Sequence, residues 1–511
     1  MVSGCRVYPD SLAVGFGADT VDLPRHSTTL SVLVGGRRLF PACRLSSMKI
    51  TVLGAAGGEV TGSAYFIETR TAGVLVDCGL FQGGHHAEEL NRPPLGDGIA
   101  RLKAVLLTHA HLDHTGRLPL LAAAGFTGPI FATPATIDMT GLILRDAARI
   151  QAQDAERINR QHLRAAEPPF HPLYSGEDVE RTLRLLKPVP YREPVAVAPG
   201  VTARFVEAGH MLGSASLQVL VDEDGTRRTV VFSGDLGPKG APILRDAEPF
   251  SQADLVFLES TYGDHDHRPF GETVHEFVGI LQHAVARKSK VLVPTFAVGR
   301  AQLLTSLLAW AFRTHAVEPF PVFLDSPMAI EASQIYARHQ ELFDDEMVAF
   351  LKARPLAQDL ATLKLTASPE ESRHINGVPG PCLVMAGAGM CNAGRILHHL
   401  RHNLWNPEAH VIIVGYQGSG TLGRQLIEGA KRVTIFGEPI AVKAQIHTLG
   451  GFSAHAGQTD LLAWFASVAP VRPRVVLTHG EDVPRATLAK LITERHGLTP
   501  ALPALGEVIE L

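Results

Sequence analysis

Cysteine is scarce in this 511-residue chain. The five cysteines are Cys5, Cys43, Cys78, Cys382 and Cys391, and no two of them form a C-x-x-C pair. Their scatter and odd number do not predict a disulfide framework or a thiolate metal site, and a reducing cytoplasm is the expected location. The chain also lacks an apolar run long enough to span a membrane, and its first residues lack the basic and apolar segments of a secretory signal.

An excess of basic residues is absent as well. The chain has 47 Lys and Arg against 51 Asp and Glu, which gives a formal net charge of −4. The overall charge therefore does not point to nucleic acid. An anionic substrate would have to be held by a local basic groove or by bound metal.

Three changes of pattern divide the chain into four segments. Residues 1–47 show no sustained period, and two interpretations stay open: a disordered extension, or translation that begins at Met48. Residues 48–250 alternate short buried strands with glycine-rich turns. Residues 251–432 follow the strand–loop–helix series of a parallel sheet with helices on both faces, and residues 433–511 return to strands and two helices. The pattern predicts an α/β protein with one domain inserted into another.

The strongest chemical signal is the segment Leu106-Leu-Thr-His-Ala-His-Leu-Asp-His-Thr-Gly, which follows a predicted buried strand. In an extended loop alternate residues face the same way, so His109 and His111 can reach one cation. Asp113 and His114 lie past the bend and can reach a second cation. Imidazole and carboxylate are ligands that suit zinc, and the segment therefore predicts a metal site.

Four ligands cannot fill two metal sites, so other ligands must come from elsewhere in the chain. His210, Asp235 and His479 each follow a predicted strand, where functional side chains are often placed. A lone histidine in such a position is more often hydrogen-bonded than bound to metal. The set as a whole changes that expectation.

The order H-x-H-x-D-H, followed by a distant His, Asp and His, resembles the metallo-β-lactamase fold over about residues 48 to 511. The resemblance implies a four-layer αββα sandwich with two zinc ions per chain, or manganese as the alternative, at one edge of the sheets. The implied ligands are His109, His111 and His210 for the first ion, and Asp113, His114 and His479 for the second. Asp235 would bridge both ions, Asp77 would orient a histidine ligand, and a hydroxide between the metals would be the nucleophile.

The long interval between Asp235 and His479 exceeds what a thioesterase or a lactamase of this fold needs. It contains Glu259 in Leu-Glu-Ser-Thr-Tyr-Gly and His455 in Gly-Gly-Phe-Ser-Ala-His-Ala. With His479, these residues resemble the three added motifs of the β-CASP nucleases, which include RNase J and the nuclease subunit of the cleavage-and-polyadenylation complex. The resemblance implies a metal-dependent ribonuclease that acts on single-stranded RNA. It leaves open internal or 5′-terminal cleavage, single-stranded DNA as substrate, and the oligomeric state, with a homodimer as one alternative.

Phosphodiester hydrolysis also needs a proton for the leaving oxygen. His455 is the predicted general acid, and Glu259 would hold its imidazole and favour the charged form. With Asp113 and Asp235, these two residues make up the predicted catalytic set.

Four residues are predicted to grip the substrate. Arg300, Arg395 and Arg424 follow glycine-containing loops at predicted helix starts, where N–H groups and guanidinium groups can meet phosphates. Ser214, in the segment after His210, could add a contact beside the metals. Each of the three arginine segments taken alone is more typical of a solvated arginine or a packing glycine.

Two alternative functions are weighed against the ribonuclease. A small-molecule hydrolase of the same fold, such as a thioesterase or a lactonase, needs neither the long insertion nor His455. A non-catalytic RNA-binding protein would not need a complete set of metal ligands. No membrane partner is expected.

Overall fold

The structure is a computed structural model, and it describes residues 48–83, 87–91, 96–418 and 420–511. The predicted N-terminal extension, residues 1–47, lies outside the described residues. Within the described ranges, no helix has the length and apolar character needed to cross a membrane.

The first part of the chain is rich in strands. Its strands are β1 (Lys49–Val52), β2 (Tyr65–Glu68), β3 (Gly73–Val76), β4 (Leu102–Leu106), β5 (Ile130–Ala132), β6 (Leu186–Pro188), β7 (Pro194–Ala198), β8 (Val201–Glu207), β9 (Ala215–Glu223), β10 (Thr226–Phe232) and β11 (Leu255–Glu259). Its helices are α1 (Ala87–Leu90), α2 (Leu112–Thr115), α3 (Leu118–Ala123), α4 (Pro134–Ala165) and α5 (Gly176–Leu183).

The middle part alternates strands and helices. Its strands are β12 (Lys290–Pro294), β13 (Val322–Asp325), β14 (Leu363–Leu365), β15 (Cys382–Ala386), β16 (His410–Ile413), β17 (Arg432–Ile435), β18 (Glu438–Ala441) and β19 (Gln445–Thr448). Its helices are α6 (Phe270–Arg287), α7 (Arg300–Arg313), α8 (Pro327–Arg338), α9 (Asp345–Ala353), α10 (Leu356–Asp359), α11 (Pro369–Ile375), α12 (Arg395–Asn403) and α13 (Leu422–Ile427). The chain then adds α14 (Gln458–Ala466), β20 (Arg474–Thr478), α15 (Asp482–His496) and β21 (Val508–Glu510).

Two sheets face each other across one apolar core. The first sheet has the strand order β21-β1-β2-β3-β4-β5-β6, and the second has β20-β11-β10-β9-β8-β7. Phe205, Phe232 and Phe257 of the second sheet pack with Val76 and Leu106 of the first. Burial of such aromatic and aliphatic side chains is the main force that holds two sheets together.

Helices cover both outer faces of the sheet pair. Helices α3, α4 and α5 pack on the first sheet through Leu121, Leu144 and Val179, and helices α14 and α15 pack on the second through Phe465 and Leu488. Thr133 begins α4, because its side chain accepts a hydrogen bond from the N–H of Thr136. The predicted αββα sandwich is therefore confirmed.

The insertion has a sheet of its own, with the order β14-β13-β15-β12-β16-β19. All of its strand pairs are parallel, as the strand–loop–helix series predicts. Helices lie on both faces: Leu304 of α7 and Ile335 of α8 join the apolar cluster of one face, and Ile396 and Leu400 of α12 join that of the other.

Sheet membership does not coincide with the predicted domain boundaries. The predicted insertion begins at residue 251, but β11 pairs with β10 and β20 in the sandwich. The predicted insertion ends at residue 432, but β19 pairs with β16 in the inserted sheet. The local sequence pattern shows where strand-to-strand connections give way to strand-to-helix connections. It carries no information about which distant strand pairs with a given strand.

Candidate metal centre and active site

Five strand ends carry five of the predicted site residues to one edge of the sandwich. His109 follows β4, His210 follows β8, Asp235 follows β10, Glu259 ends β11 and His479 follows β20. The last four strands run in the same direction within one sheet, because β10, β11 and β20 are parallel and β8 is antiparallel to the intervening β9. Their carboxyl ends therefore share an edge, and the loop after β4 meets them from the facing sheet.

A first group of donor atoms consists of three imidazoles and one carboxylate. The Nδ1 atom of His111 lies 3.2 Å from Nε2 of His109 and 3.0 Å from Nε2 of His210. The Oδ2 atom of Asp235 lies 3.5 Å from Nε2 of His109 and 3.6 Å from Nε2 of His210. Burial lowers the pKa of His111 to about 4, and it holds the pKa of His109 and His210 well below the usual value. Neutral rings keep the lone pairs that a metal ion requires.

A second group of donor atoms shares Asp235 with the first. The Oδ1 atom of Asp235 lies 3.3 Å from Nε2 of His114 and 3.5 Å from Nε2 of His479, whose Nε2 is 3.4 Å from Oδ2 of Asp113. This Oδ1 atom is buried and has no hydrogen-bond partner among the described residues. A buried carboxylate oxygen without a partner is costly, and a bound cation would satisfy it. The donor set therefore fits divalent metal ions.

In His114, His210 and His479 the other ring nitrogen is held in place. The Nδ1 atom of His114 lies 2.8 Å from Oδ2 of Asp77, that of His210 lies 2.9 Å from the carbonyl oxygen of Ala454, and that of His479 lies 3.0 Å from Oγ1 of Thr261. Each contact leaves Nε2 free to face the donor group.

The backbone at Asp77 and His479 is unusual. Their φ angles are +56° and +52°, in the left-handed region that side chains other than glycine rarely adopt. Asp77 also accepts hydrogen bonds from the N–H and the hydroxyl of Thr108, at 2.8 and 2.7 Å. Strained backbone of this kind collects at functional sites, where the surrounding contacts over-determine it.

His455 and Glu259 lie beside the donor groups. The Nδ1 atom of His455 is 3.4 Å from Oε1 of Glu259 and 4.0 Å from Oδ2 of Asp235. The carboxylate of Glu259 also accepts hydrogen bonds from the N–H groups of Leu236 at 2.7 Å and of Thr261 at 3.3 Å. Burial opposes the charged form of His455, but the neighbouring carboxylates, with Glu259 first, outweigh it and raise its pKa. Asp235, Glu259 and His455 also lie close enough to form a third potential ligand group.

Three of the four predicted substrate contacts have other partners. The Oγ atom of buried Ser214 accepts hydrogen bonds from the N–H groups of His210 and Met211, at 3.1 and 3.2 Å, so it shapes the loop from within. Arg424 forms an exposed pair with Glu428 at 2.6 Å.

Arg395 also has partners within the chain. Its Nη1 atom donates to Oδ1 of Asp325 at 2.7 Å and to the carbonyl oxygen of Thr366 at 3.0 Å. Asp325 lies 70 residues earlier in the chain. The local sequence around Arg395 therefore contains no sign of this partner.

Arg300 differs from these three residues. It is buried, with 8% of its surface exposed, and its Nε atom has no hydrogen-bond partner among the described residues. It is the predicted substrate contact whose guanidinium remains available.

Several residues of the site were not predicted from the sequence. Thr108 and Thr261 hold the carboxylate of Asp77 and the ring of His479. His267 lies with its Nε2 atom 2.9 Å from the carbonyl oxygen of His455, and the ring of Tyr262 packs on that of His267 at 4.3 Å. The run Asp-His-Asp-His at residues 264–267 was the available signal, because such clusters of titratable residues are uncommon outside sites.

Three family models match successive parts of the chain. The metallo-β-lactamase superfamily matches residues 57–294, the β-CASP domain matches residues 301–426, and the Zn-dependent metallo-hydrolase RNA specificity domain matches residues 439–503.

Curated relatives extend over nearly the whole chain. Ribonuclease TTHA0252 of Thermus thermophilus is 41% identical over 461 residues, which cover 90% of this chain and 99% of the relative. The transcription termination factor FttA of Cenarchaeum symbiosum is 30% identical over 490 residues, which cover 91% of this chain and 71% of the relative.

A solved structure shares the fold. The crystal structure of a protein of unknown function from Enterococcus faecalis aligns with a TM-score of 0.53 at 13% identity, over 91% of this chain and 100% of that chain. Taken with the two donor groups and the relatives, these similarities establish that the chain belongs to the β-CASP ribonuclease family of metal-dependent hydrolases within the metallo-β-lactamase superfamily.

Proposed function

We propose that the chain is a zinc-dependent ribonuclease that hydrolyses phosphodiester bonds of single-stranded RNA. The observation that carries the proposal is the position of Asp235, whose two carboxylate oxygens face two separate histidine groups beside the pair of His455 and Glu259. The name of the Thermus relative and the RNA specificity domain over residues 439–503 support RNA as the substrate.

We assign the ligands as the two donor groups suggest. His109, His111 and His210 would hold one metal ion, Asp113, His114 and His479 would hold the other, and Asp235 would contact both. Divalent metal ions in this position would supply Lewis acidity toward a phosphoryl group and would lower the pKa of water. Nitrogen ligands in the majority favour zinc over the harder manganese, which remains the alternative.

The protein's own groups then position the substrate and move a proton. His455 has its Nδ1 atom toward Glu259, and we assign the proton on Nε2 to the leaving oxygen as the phosphodiester bond breaks. Glu259 is fixed by two backbone N–H groups and holds the ring in this orientation. Asp77 positions His114 in the same indirect way.

The domain assignment is a proposal as well. We propose that the sandwich is formed by residues 48–250 and 433–511 and the β-CASP domain by residues 251–432. Strand β11 is the exception that belongs to a sheet of the sandwich, and β19 is the exception that belongs to the inserted sheet. A cytoplasmic location is also proposed, and it is supported by the buried free thiols of Cys78, Cys382 and Cys391. A homodimer remains the alternative to a monomer.

The test is cleavage of end-labelled RNA by the purified protein. We expect cleavage of single-stranded RNA that stops when a chelator removes the metal and returns when zinc is added back. Single-stranded DNA of the same sequence, a thioester and a lactone serve as competing substrates, and the product lengths separate internal from 5′-terminal cleavage. Hydrolysis of the thioester or the lactone without cleavage of RNA would refute the proposal.

A further inference from the structure

Arg300 is a buried cation without a counter-charge. It is the first residue of α7, and none of the carboxylates in the described part of the chain lies within 4.0 Å of its guanidinium. Burial lowers its pKa to about 10, which leaves it charged at neutral pH. Burying an unpaired charge is unfavourable, and the binding of an anion would compensate for it.

Two tyrosines that interact electrostatically with Arg300, Tyr336 and Tyr262, link it to the loops that carry His210 and His455. On one side, a Cβ atom added to the preceding Gly299 would lie 3.9 Å from the hydroxyl of Tyr336, which interacts with the backbone of Leu212 in the His210 loop. On the other side is Tyr262, which interacts electrostatically with Arg300 and whose ring centroid is 6.2 Å from that of His455. An anion bound by Arg300 would therefore lie next to the proposed metal centre.

Phe296 provides an exposed aromatic surface four residues before Arg300. The residue is 39% exposed, and a Cβ atom added to Gly389 or Gly415 would come within 2.6 or 3.3 Å of its ring. The two glycines leave room for the ring to lie across the carboxyl ends of β12, β15 and β16. The N–H of Ala301 donates to the carbonyl oxygen of Phe296 at 3.2 Å, which ties this loop to the start of α7.

A second exposed aromatic residue connects this surface to the metal centre. Tyr416 is 45% exposed and directly follows Gly415. Its hydroxyl donates to Oε1 of Glu481 at 2.7 Å, and Glu481 lies two residues after His479. Tyr416 therefore links the loop beside Phe296 to the segment that carries His479.

We propose that Phe296 and Arg300 form a subsite that binds one nucleotide of the RNA. This subsite rests on the proposed ribonuclease function. Arg300 binds one phosphate of the strand through its guanidinium, and the base of the same nucleotide stacks on the ring of Phe296. The occupant is a nucleotide because the unpaired cation of Arg300 and the exposed side chain of Phe296 belong to one loop and helix start beside the proposed metal centre. An aromatic surface that binds a protein partner would not require the buried cation.

The closing experiment is a scan of single-turnover cleavage with an end-labelled RNA oligonucleotide. In one series each position in turn carries an abasic residue, and in a second series each linkage in turn is an uncharged methylphosphonate. Repeating the assay at several protein concentrations gives the half-saturating protein concentration and the maximal cleavage rate separately. With the wild-type protein, we expect one abasic position and one adjacent uncharged linkage, belonging to the same nucleotide, to raise the half-saturating concentration.

Two variants assign these positions to residues. Phe296→Leu keeps the apolar bulk but removes the ring, and it should raise half-saturation by about 5- to 100-fold and abolish the effect of that abasic residue. Phe296→Tyr, which keeps an aromatic ring, should keep the half-saturating concentration and the effect of the abasic residue as in the wild type. Arg300→Gln should abolish the effect of the uncharged linkage. Thermal melting of this variant shows whether it folds. If the variant does not fold, the scan of the wild-type protein decides whether the sensitive linkage and the sensitive base belong to the same nucleotide.

Matched controls use an exposed aromatic residue and an exposed arginine elsewhere. Trp405 is 57% exposed and precedes β16, at the opposite edge of the inserted sheet, and Arg227 pairs with Asp222 in a hairpin of the sandwich. Trp405→Ala and Arg227→Ala should leave both scans unchanged. The subsite is refuted if the wild-type protein cleaves RNA but Phe296→Leu has the same half-saturating concentration and scans as Trp405→Ala. A wild-type protein that cleaves no RNA with metal present refutes the proposed function itself.

Discussion

The Nδ1 atom of His455 lies 3.4 Å from the Oε1 atom of Glu259, although 196 residues separate the two in the chain. His455 follows the inserted domain, and Glu259 ends a strand of the sandwich. The pair therefore forms only when the last part of the chain has returned to the sandwich.

From this pair we predict the effect of removing the proton donor. His455→Ala should slow RNA cleavage by about 10²- to 10⁴-fold, the usual contribution of a general acid. Single-turnover rates measure it, and metal analysis of the variant is the control, because Asp235, Glu259 and His455 could also form a ligand group. An unchanged rate would exclude the acid role, and loss of a metal ion would make His455 a ligand instead.

The shared carboxylate of Asp235 predicts unequal losses of metal. His109→Ala combined with His111→Ala removes two donors of the first group only, so we expect one of two zinc ions to be lost and cleavage to be abolished while the fold persists. Asp235→Ala removes a donor from both groups and should lower the affinity for both ions. Elemental analysis after gel filtration measures the content, and equal metal loss in the two variants would contradict the assignment.

Asp77 should affect metal binding without contacting the ion. Asp77→Asn keeps the shape of the side chain but weakens its hold on Nδ1 of His114, and we expect metal affinity to fall by about 10- to 100-fold. Competition with a chelating dye measures this affinity. Asp222→Asn, at an exposed carboxylate paired with Arg227, is the matched control and should bind metal as the wild type does.

Asp325 should stabilise the inserted domain in a pH-dependent way. Its buried carboxylate accepts hydrogen bonds from Ser372, Thr366 and Arg395 and lies 2.7 Å from Nε2 of His399. Burial alone would raise its pKa, but these partners, with His399 first, lower it to about 2. Asp325→Asn should reduce the free energy of unfolding by about 3 kcal/mol near neutral pH, as expected when a buried ion pair is broken.

The sign of the pH dependence follows from the lowered pKa. A carboxyl whose folded pKa is about 2, against the ordinary 3.8, contributes its full stabilisation above the ordinary value and loses it as the pH falls through 2. The difference in unfolding free energy between wild type and Asp325→Asn should therefore shrink from pH 4 to pH 2. Denaturant unfolding at several pH values measures it, and a difference that grows on acidification would contradict this explanation.

Much of this protein could be predicted from local sequence. The segment His109 to His114 places four donors within one loop after a strand, and the strand–loop–helix series is the local pattern of a parallel sheet. Both signals arise from near neighbours in the chain, where strand alternation and turn chemistry act. The α/β class, the cluster that begins the metal site and the inserted sheet were therefore available from the sequence.

The tertiary structure decided which polar groups are free. Arg300, Arg395 and Arg424 follow similar loops, yet Asp325 engages Arg395 and Glu428 engages Arg424, while Arg300 is left unpaired. Ser214 likewise turns inward to hold the loop of its own chain. Hydrogen-bond partners separated by tens or hundreds of residues are brought together only by packing, so no local pattern can distinguish a paired guanidinium from an available one.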